Sequence, residues 1–172
     1  MIHPIVKYGD PVLETKAQSV TDFTAPELHT LVEEMFQSMY AAKGVGLAAP
    51  QIGVSKRITV IDTSNGENAE ERIVLINPEI IKREGTQTGD EGCLSLPGFR
   101  EQVTRAKRAT VRAQNLKGEF FETSGEDLLA RAFQHETDHL NGILYPMRLT
   151  DGRLFGFSEE FARYGTPTFE VQ

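Results

Sequence analysis

Two histidines four residues apart, with a glutamate directly after the first, occur in the stretch FQHETDHLNG at residues 133–142. On a helix, positions i and i+4 project from one face, so His135 and His139 can grip a single metal ion. Glu136 is turned by about 100° from His135, toward the same space but out of line as a ligand. A carboxylate there can take a proton from water that the ion acidifies. The same residues admit a plainer account: two core histidines bonded to backbone carbonyls, with Glu136 in a buried ion pair. A four-coordinate ion that keeps one position for water needs a third protein donor. The single cysteine, Cys93, is the candidate. It lies in EGCLSLPG, residues 91–98, where the glycines and the proline could let the thiol project from an irregular strand. A lone cysteine is otherwise a small buried hydrophobe, and without a second thiol it forms no internal disulfide.

These groups need elements to position them. The metal-motif helix is predicted to begin near Ser124, run through Asn141 and stop at Gly142. Leu128, Ala132, His135 and His139 form one stripe on it, and Leu129, Phe133, Glu136 and Leu140 form the next. Ala130, Arg131, Gln134, Thr137, Asp138 and Asn141 make the opposite arc, so the histidines and Glu136 occupy the side where the pattern demands apolar residues. An earlier helix opens on Thr24-Ala25-Pro26-Glu27, read as a capping box with Pro in the first turn. It carries Leu28, Leu31, Val32, Met35, Phe36, Met39 and Tyr40 as a core stripe, and Gly44 is read as its stop. Between them, RITVID, RIVLIN before Pro78, EIIK, TVRAQN and GEFFET read as short strands of a mostly antiparallel sheet.

Composition limits the setting. At 172 residues, 39% hydrophobic and 25% charged, the chain suits one globular domain. Eighteen Lys and Arg against 25 Asp and Glu leave a net charge of -7, which disfavours a nucleic-acid binder. The only basic run, RAKRATVRAQNLK at residues 105–117, alternates like a half-exposed strand. No segment has signal-peptide character and none is long and apolar enough to cross a bilayer, so no membrane association and a cytoplasmic location are expected.

A third segment, GVGLAAPQIG at residues 44–53, has glycines and small residues that let another backbone approach, and Gln51 offers an amide donor. No strand precedes it as a dinucleotide fingerprint requires. Taken together, residues 44–51 (GVGLAAPQ), 91–95 (EGCLS) and 134–142 (QHETDHLNG) resemble, in order and approximate separation, the three signature motifs of the bacterial peptide deformylases. The resemblance runs from the N-terminal segment to about residue 150.

That resemblance implies an α+β fold, antiparallel β-sheets around a central helix carrying the motif, with residues 1–172 as one catalytic domain. It implies removal of the N-formyl group from newly made polypeptides that begin with formylmethionine. Cys93, His135 and His139 would be the ligands of one divalent ion, Fe(II) in the native enzyme, with Zn, Ni or Co as other occupants. Glu136 would carry the proton, while Gln51 and the Leu94 backbone N–H would stabilise charge on the formyl oxygen. Val45 and Gly46 would pair with the extended peptide, and a pocket near Leu128 would take the methionine side chain. Arg100 would line the pocket mouth or else be an ordinary surface arginine. The tail DGRLFGFSEEFARYGTPTFEVQ departs from the basic C-terminal helix with which several members dock on the ribosome.

Other readings remain. A metallopeptidase would need Glu159 or Glu160 as third ligand, leaving Cys93 and Gln51 without a role. A structural metal site would need a fourth ligand, and only His3 and His29 are left, with His29 on the polar side of the first helix.

Overall fold

A computed structural model describes residues 1–149 and 155–165. In chain order the elements are α1 (Pro26–Ala41), β1 (Gly46–Ala48), β2 (Ile58–Ile61), β3 (Ile73–Glu84), β4 (Gln87–Cys93), β5 (Leu96–Arg105), β6 (Arg108–Gln114), β7 (Phe120–Glu126), α2 (Asp127–Leu140), β8 (Gly156–Phe157) and α3 (Ser158–Tyr164). Five strands form one sheet in the order β1-β2-β3-β6-β7, and β4-β5-β8 form a second. Each named strand pair is antiparallel. This is the α+β arrangement expected, with α2 between the sheets.

The period of the sequence accounts for the layers. Leu28, Val32, Met35, Phe36 and Met39 of α1 meet Leu47, Ile58, Val60 and Ile76 from the first three strands. On its sheet side, α2 places Ala130 and Phe133 against Ile61, Leu75, Ala109, Val111 and Ala113. Full burial of a side chain such as Phe133 stabilises by about 1.5–3 kcal/mol. β6 carries the middle of the basic run, and its alternating exposure fits a strand with one wet face, whereas Arg105 at the start of the run is the buried end of β5. Arg108 on that face pairs with Glu126 at 2.7 Å.

Several local expectations are corrected. The N-cap of α1 is Ala25, with no side-chain bond, because the Thr24 hydroxyl bonds Asp22 instead. Its stop uses Lys43 rather than Gly44 in the left-handed conformation, at φ 58°. The Lys43 amide bonds Tyr40 O and the Gly44 amide bonds Met39 O, the paired closure of a Schellman turn. β3 passes straight through Asn77-Pro78, where Asn77 turns to φ 50° and the register with β6 shifts. Residues 124–126 belong to β7, not to the motif helix, because the ladder with β6 continues to the pair Arg108↔Glu126. Asp127 at φ 50° then bends the chain into α2. The largest correction concerns the polar arc of α2. Ala130, Arg131, Gln134, Thr137 and Asp138 are buried with the rest of Ala130–Leu140: the sheet covers Ala130, the β4–β5 hairpin takes Arg131 and Asp138, and the turn after β5 takes Gln134. Arg131 reaches Val103 O of β5 at 2.9 Å, and the Gln134 amide exchanges 3.0 Å bonds with the Ala106 backbone.

Candidate active site

The buried helix delivers two imidazoles to one point. His139 Nε2 lies 3.1 Å from His135 Nε2 and 3.3 Å from Cys93 Sγ, the thiol at the end of β4. The three donor atoms all lie within 4.8 Å of one another. At the end of α2, Gly142 at φ 73° closes the last turn, and a Cβ there would stand 2.6 Å from Glu14 O. A thiol and two imidazoles in such a cluster suit a borderline or soft divalent ion.

Glu91, two residues before Cys93 on β4, is a further site residue, to which the EGCLS motif alone gives no role. Its carboxylate lies 2.7 Å from His135 Nδ1, takes bonds of 3.1 and 2.7 Å from Arg105, and takes one of 2.9 Å from Arg131. Burial alone would raise the Glu91 carboxyl, but the His135 and Arg105 contacts outweigh it and hold it far below the usual carboxylate range. Arg105 continues to Asp138 at 2.6 Å, and Asp138 takes two further bonds from Arg148 at 3.1 and 2.8 Å. The register of β4 with β5 shifts between Glu91 and Cys93, so simple strand alternation does not mark Glu91. Asp138 and Arg148 carry no such signal either, because their partners come from β5 and from the turn after α2. A carboxylate on the far nitrogen of a ligating histidine fixes its tautomer and orientation. His139 Nδ1 has no such partner among the described residues.

The rings titrate apart. Burial would lower the His135 pKa, yet the Cys93 and Glu91 contacts raise it well above the imidazole range. Burial and the neighbouring His135 push His139 well below it. Glu136 is 5% exposed, its Oε2 has no hydrogen-bond partner among the described residues, and burial pushes its carboxyl up to about 7. The carboxyl lies against Gly46: a Cβ at that glycine would stand 2.9 Å from Glu136 Cδ. Only a residue without a side chain leaves room for it there. Gly44 has the same relation to Leu94, whose Cδ1 would meet an added Cβ at 2.6 Å.

A cavity of about 570 Å³ opens over the cluster, lined by Val45, Gly46, Gln51, Cys93, Leu94, Leu128, His135 and Glu136 among others. Gln51 Oε1 accepts from Ala48 N at 2.9 Å, which aims Nε2 at Cys93 Sγ, 3.6 Å away, and at Ser95 Oγ, 3.3 Å away. Val45 O accepts from Asp62 N, so by the alternation of antiparallel strands Gly46 turns its N–H and C=O away from β2. β1 is an edge strand, and that edge faces the cavity. Leu128 is on the wall and 51% exposed. Arg100 stands off the wall: its guanidinium lies 3.5 Å from Asp90 and over the Phe161 ring. His3 bonds Glu34 at 2.7 Å, away from the cluster.

Water activated beside an ion, with a carboxylate to carry its proton, is the chemistry of the metal-dependent hydrolases, and the sheets wrapped around the motif helix narrow that class. Residues 2–154 match the family model described as polypeptide deformylase. The peptide deformylase of Acidobacterium capsulatum is 65% identical over 150 residues, 87% of this chain and 88% of that protein. The crystal structure of a peptide deformylase from Legionella pneumophila superposes with a TM-score of 0.83 at 46% identity, over 87% of each chain. That of the Thermotoga maritima peptide deformylase gives 0.81 at 42%, over 88% of this chain and 99% of that one. The chain therefore belongs to the polypeptide deformylase family. It is a metal-dependent enzyme that removes the N-formyl group from newly made polypeptides.

Proposed function

We propose that Cys93, His135 and His139 hold one divalent ion and that deformylation takes place between that cluster, Glu136 and the β1 edge. The convergence of one thiol and two imidazoles within 4.8 Å, beside a buried carboxylate, carries this reading. Three donors leave one position of a four-coordinate ion open. Fe(II) is assigned as the native ion, with Zn, Ni or Co as other occupants that a sulfur and nitrogen donor set accepts. When bound, the ion supplies Lewis acidity that acidifies water and polarises the formyl oxygen.

Glu136 is the proton carrier. It takes a proton from the attacking water and returns one to the leaving nitrogen as the formyl C–N bond breaks, giving formate and a free amino terminus. A carboxyl lifted to about 7 by burial suits a group that must both accept and release a proton near neutrality. Gln51 Nε2, locked by the Oε1 bond to Ala48, and the Leu94 N–H are assigned to the charge that grows on the formyl oxygen. The peptide lies along the open edge of β1 at Val45 and Gly46, with the methionine side chain in the apolar part of the cavity near Leu128. Arg100 is left beside Asp90, outside that contact.

Residues 1–172 act as one catalytic domain in this reading, on formylmethionyl chains in the cytoplasm. α3 carries Glu159 and Glu160 against Arg163, so no ribosome-docking role is assigned to it; residues 151–154 and 166–172 of the tail lie outside the described residues. The test is formate release by protein purified without oxygen. Formyl-Met-Ala-Ser should react far faster than acetyl-Met-Ala-Ser, with no cleavage of internal bonds. Efficient internal cleavage of an unformylated peptide would favour a peptidase instead.

A further inference from the structure

We infer that Lys7 and Lys43 make the mouth of the cleft select formylated peptides with acidic side chains two to three residues after the methionine. This rests on the reading that the peptide lies along the β1 edge. Both lysines line the cavity and both are exposed. Their backbones are fixed. Lys7 sits between Val6, whose amide bonds Gln51 O at 2.8 Å, and Tyr8, whose amide bonds Ser95 O at 2.9 Å. Lys43 occupies the left-handed position of the turn that closes α1, at φ 58°. Glycine is the default residue there, and a lysine costs roughly 1 kcal/mol of backbone strain. A strained residue at the rim of a site is a reason to look for a function.

The charge balance of the wall supports the choice. Its other charged groups are Asp90, Glu91, Arg131, Glu136 and the titratable His135. Arg131 is paired with Glu91 at 2.9 Å, a carboxylate it shares with Arg105 behind the wall. Asp90 is engaged by Gln102 and lies 3.5 Å from Arg100. Glu136 and His135 lie at the reacting end. The mouth is thus left with two cations on a chain whose net charge is -7.

Direction follows from the strand. Glu136 touches Gly46, and toward residue 48 the Ala48 amide is already taken by Gln51. A peptide with its formyl group at the cluster therefore leaves past Val45 and Gly44 toward Lys43. At about 3.3 Å per extended residue, the second and third residues after methionine come within reach of the lysine side chains.

Steady-state kinetics on the metal-loaded enzyme at low ionic strength test this, using formyl-Met-Ala-Xaa-Xaa amides with Xaa as Asp, Ala or Lys. The amide removes the peptide's own terminal carboxylate. An exposed attraction is worth a factor of about 2 to 5, so the Asp peptide should exceed the Lys peptide by roughly tenfold in kcat/KM, mostly through KM. About 0.5 M salt should erase most of that difference. The double variant Lys7→Glu/Lys43→Glu should reverse the order. Turnover of the Ala peptide with an Asp to Lys ratio near one, or a ratio that the double variant leaves unchanged, overturns the charge selection alone. Absence of turnover with all three peptides would instead overturn the reading on which it rests.

Discussion

Replacing Glu91 by Gln keeps the shape of the side chain and removes one charge from the centre of the network behind His135. The side chain is 4% exposed, beside Arg105 at 5% and Arg131 at 9%. Of those two guanidiniums, the substitution leaves Arg105 with Asp138 as its remaining carboxylate partner, which Asp138 shares with Arg148, and leaves Arg131 with none in the network. Removing one member of a buried pair costs about 3–5 kcal/mol, because the other charge stays buried without its partner. Glu91→Gln should fall near the lower figure, since its amide oxygen still accepts, and Glu91→Ala near the upper. Against a total stability of about 5–15 kcal/mol, either loss is large. A second effect is separable from the first. Without the carboxylate at 2.7 Å, His135 loses the contact that fixes its ring, and loss of such a partner lowers metal affinity by about 10- to 100-fold. Urea unfolding of metal-free protein reads the first effect, and competition with a chelator at a temperature where both proteins are folded reads the second. A stability change below about 1 kcal/mol, or a metal affinity equal to that of the parent, would refute the role given to this network.

Two further substitutions probe the frame. Gly46→Ala would set a Cβ 2.9 Å from Glu136 Cδ; kcat should fall by at least about tenfold, as for a displaced general base, while circular dichroism shows the fold retained, and an unchanged kcat would mean that the Glu136 position is unimportant. Asp62 accepts from Tyr40 Oη, Ser64 Oγ and the amides of Ser64 and Gly66. Burial would raise its carboxyl, but these bonds prevail and lower it below the ordinary 3.8. A depressed pKa stabilises the fold at pH values above the unfolded one and loses that contribution as pH falls toward the folded one. The gap in urea stability between the parent and Asp62→Asn should therefore be constant from about pH 5 upward and should narrow below 3.8; a gap that widens in acid would contradict the assignment.

The chemistry was legible where it depends on local periodicity. His135, Glu136 and His139 lie on a helix with the spacing read from FQHETDHLNG, and Gly142 ends it as expected. What failed depends on contacts distant in sequence. Thr24 has the residue type of a cap, but Asp22 holds its hydroxyl. Ser124 reads as the start of α2, but a 2.8 Å bond to Thr110 ties it into β7. The arc of Arg131, Gln134, Thr137 and Asp138 looked like a wet face from composition. The β4–β5 hairpin supplies partners to Arg131 and Asp138, at Glu91 and Arg105, and the turn after β5 supplies Ala106 to Gln134. A polar residue type does not show whether its partner will be water or another segment of chain. Cys93 is marked by the need for a third donor, its glycine-flanked setting and the family resemblance, whereas Glu91 stays hidden because EGC lacks the apolar alternation that marks a strand.

The most direct test is metal content measured beside the initial rate of formate release for Glu136→Gln, His135→Ala and His139→Ala. Glu136 lies against Gly46, outside the cluster of three donors. Glu136→Gln should therefore retain metal at the parent stoichiometry while its rate falls by about 10² to 10⁴, and the two histidine variants should lose the metal itself. Loss of metal from Glu136→Gln to the same degree, or a near-normal rate from it, would contradict the division between ligands and proton carrier.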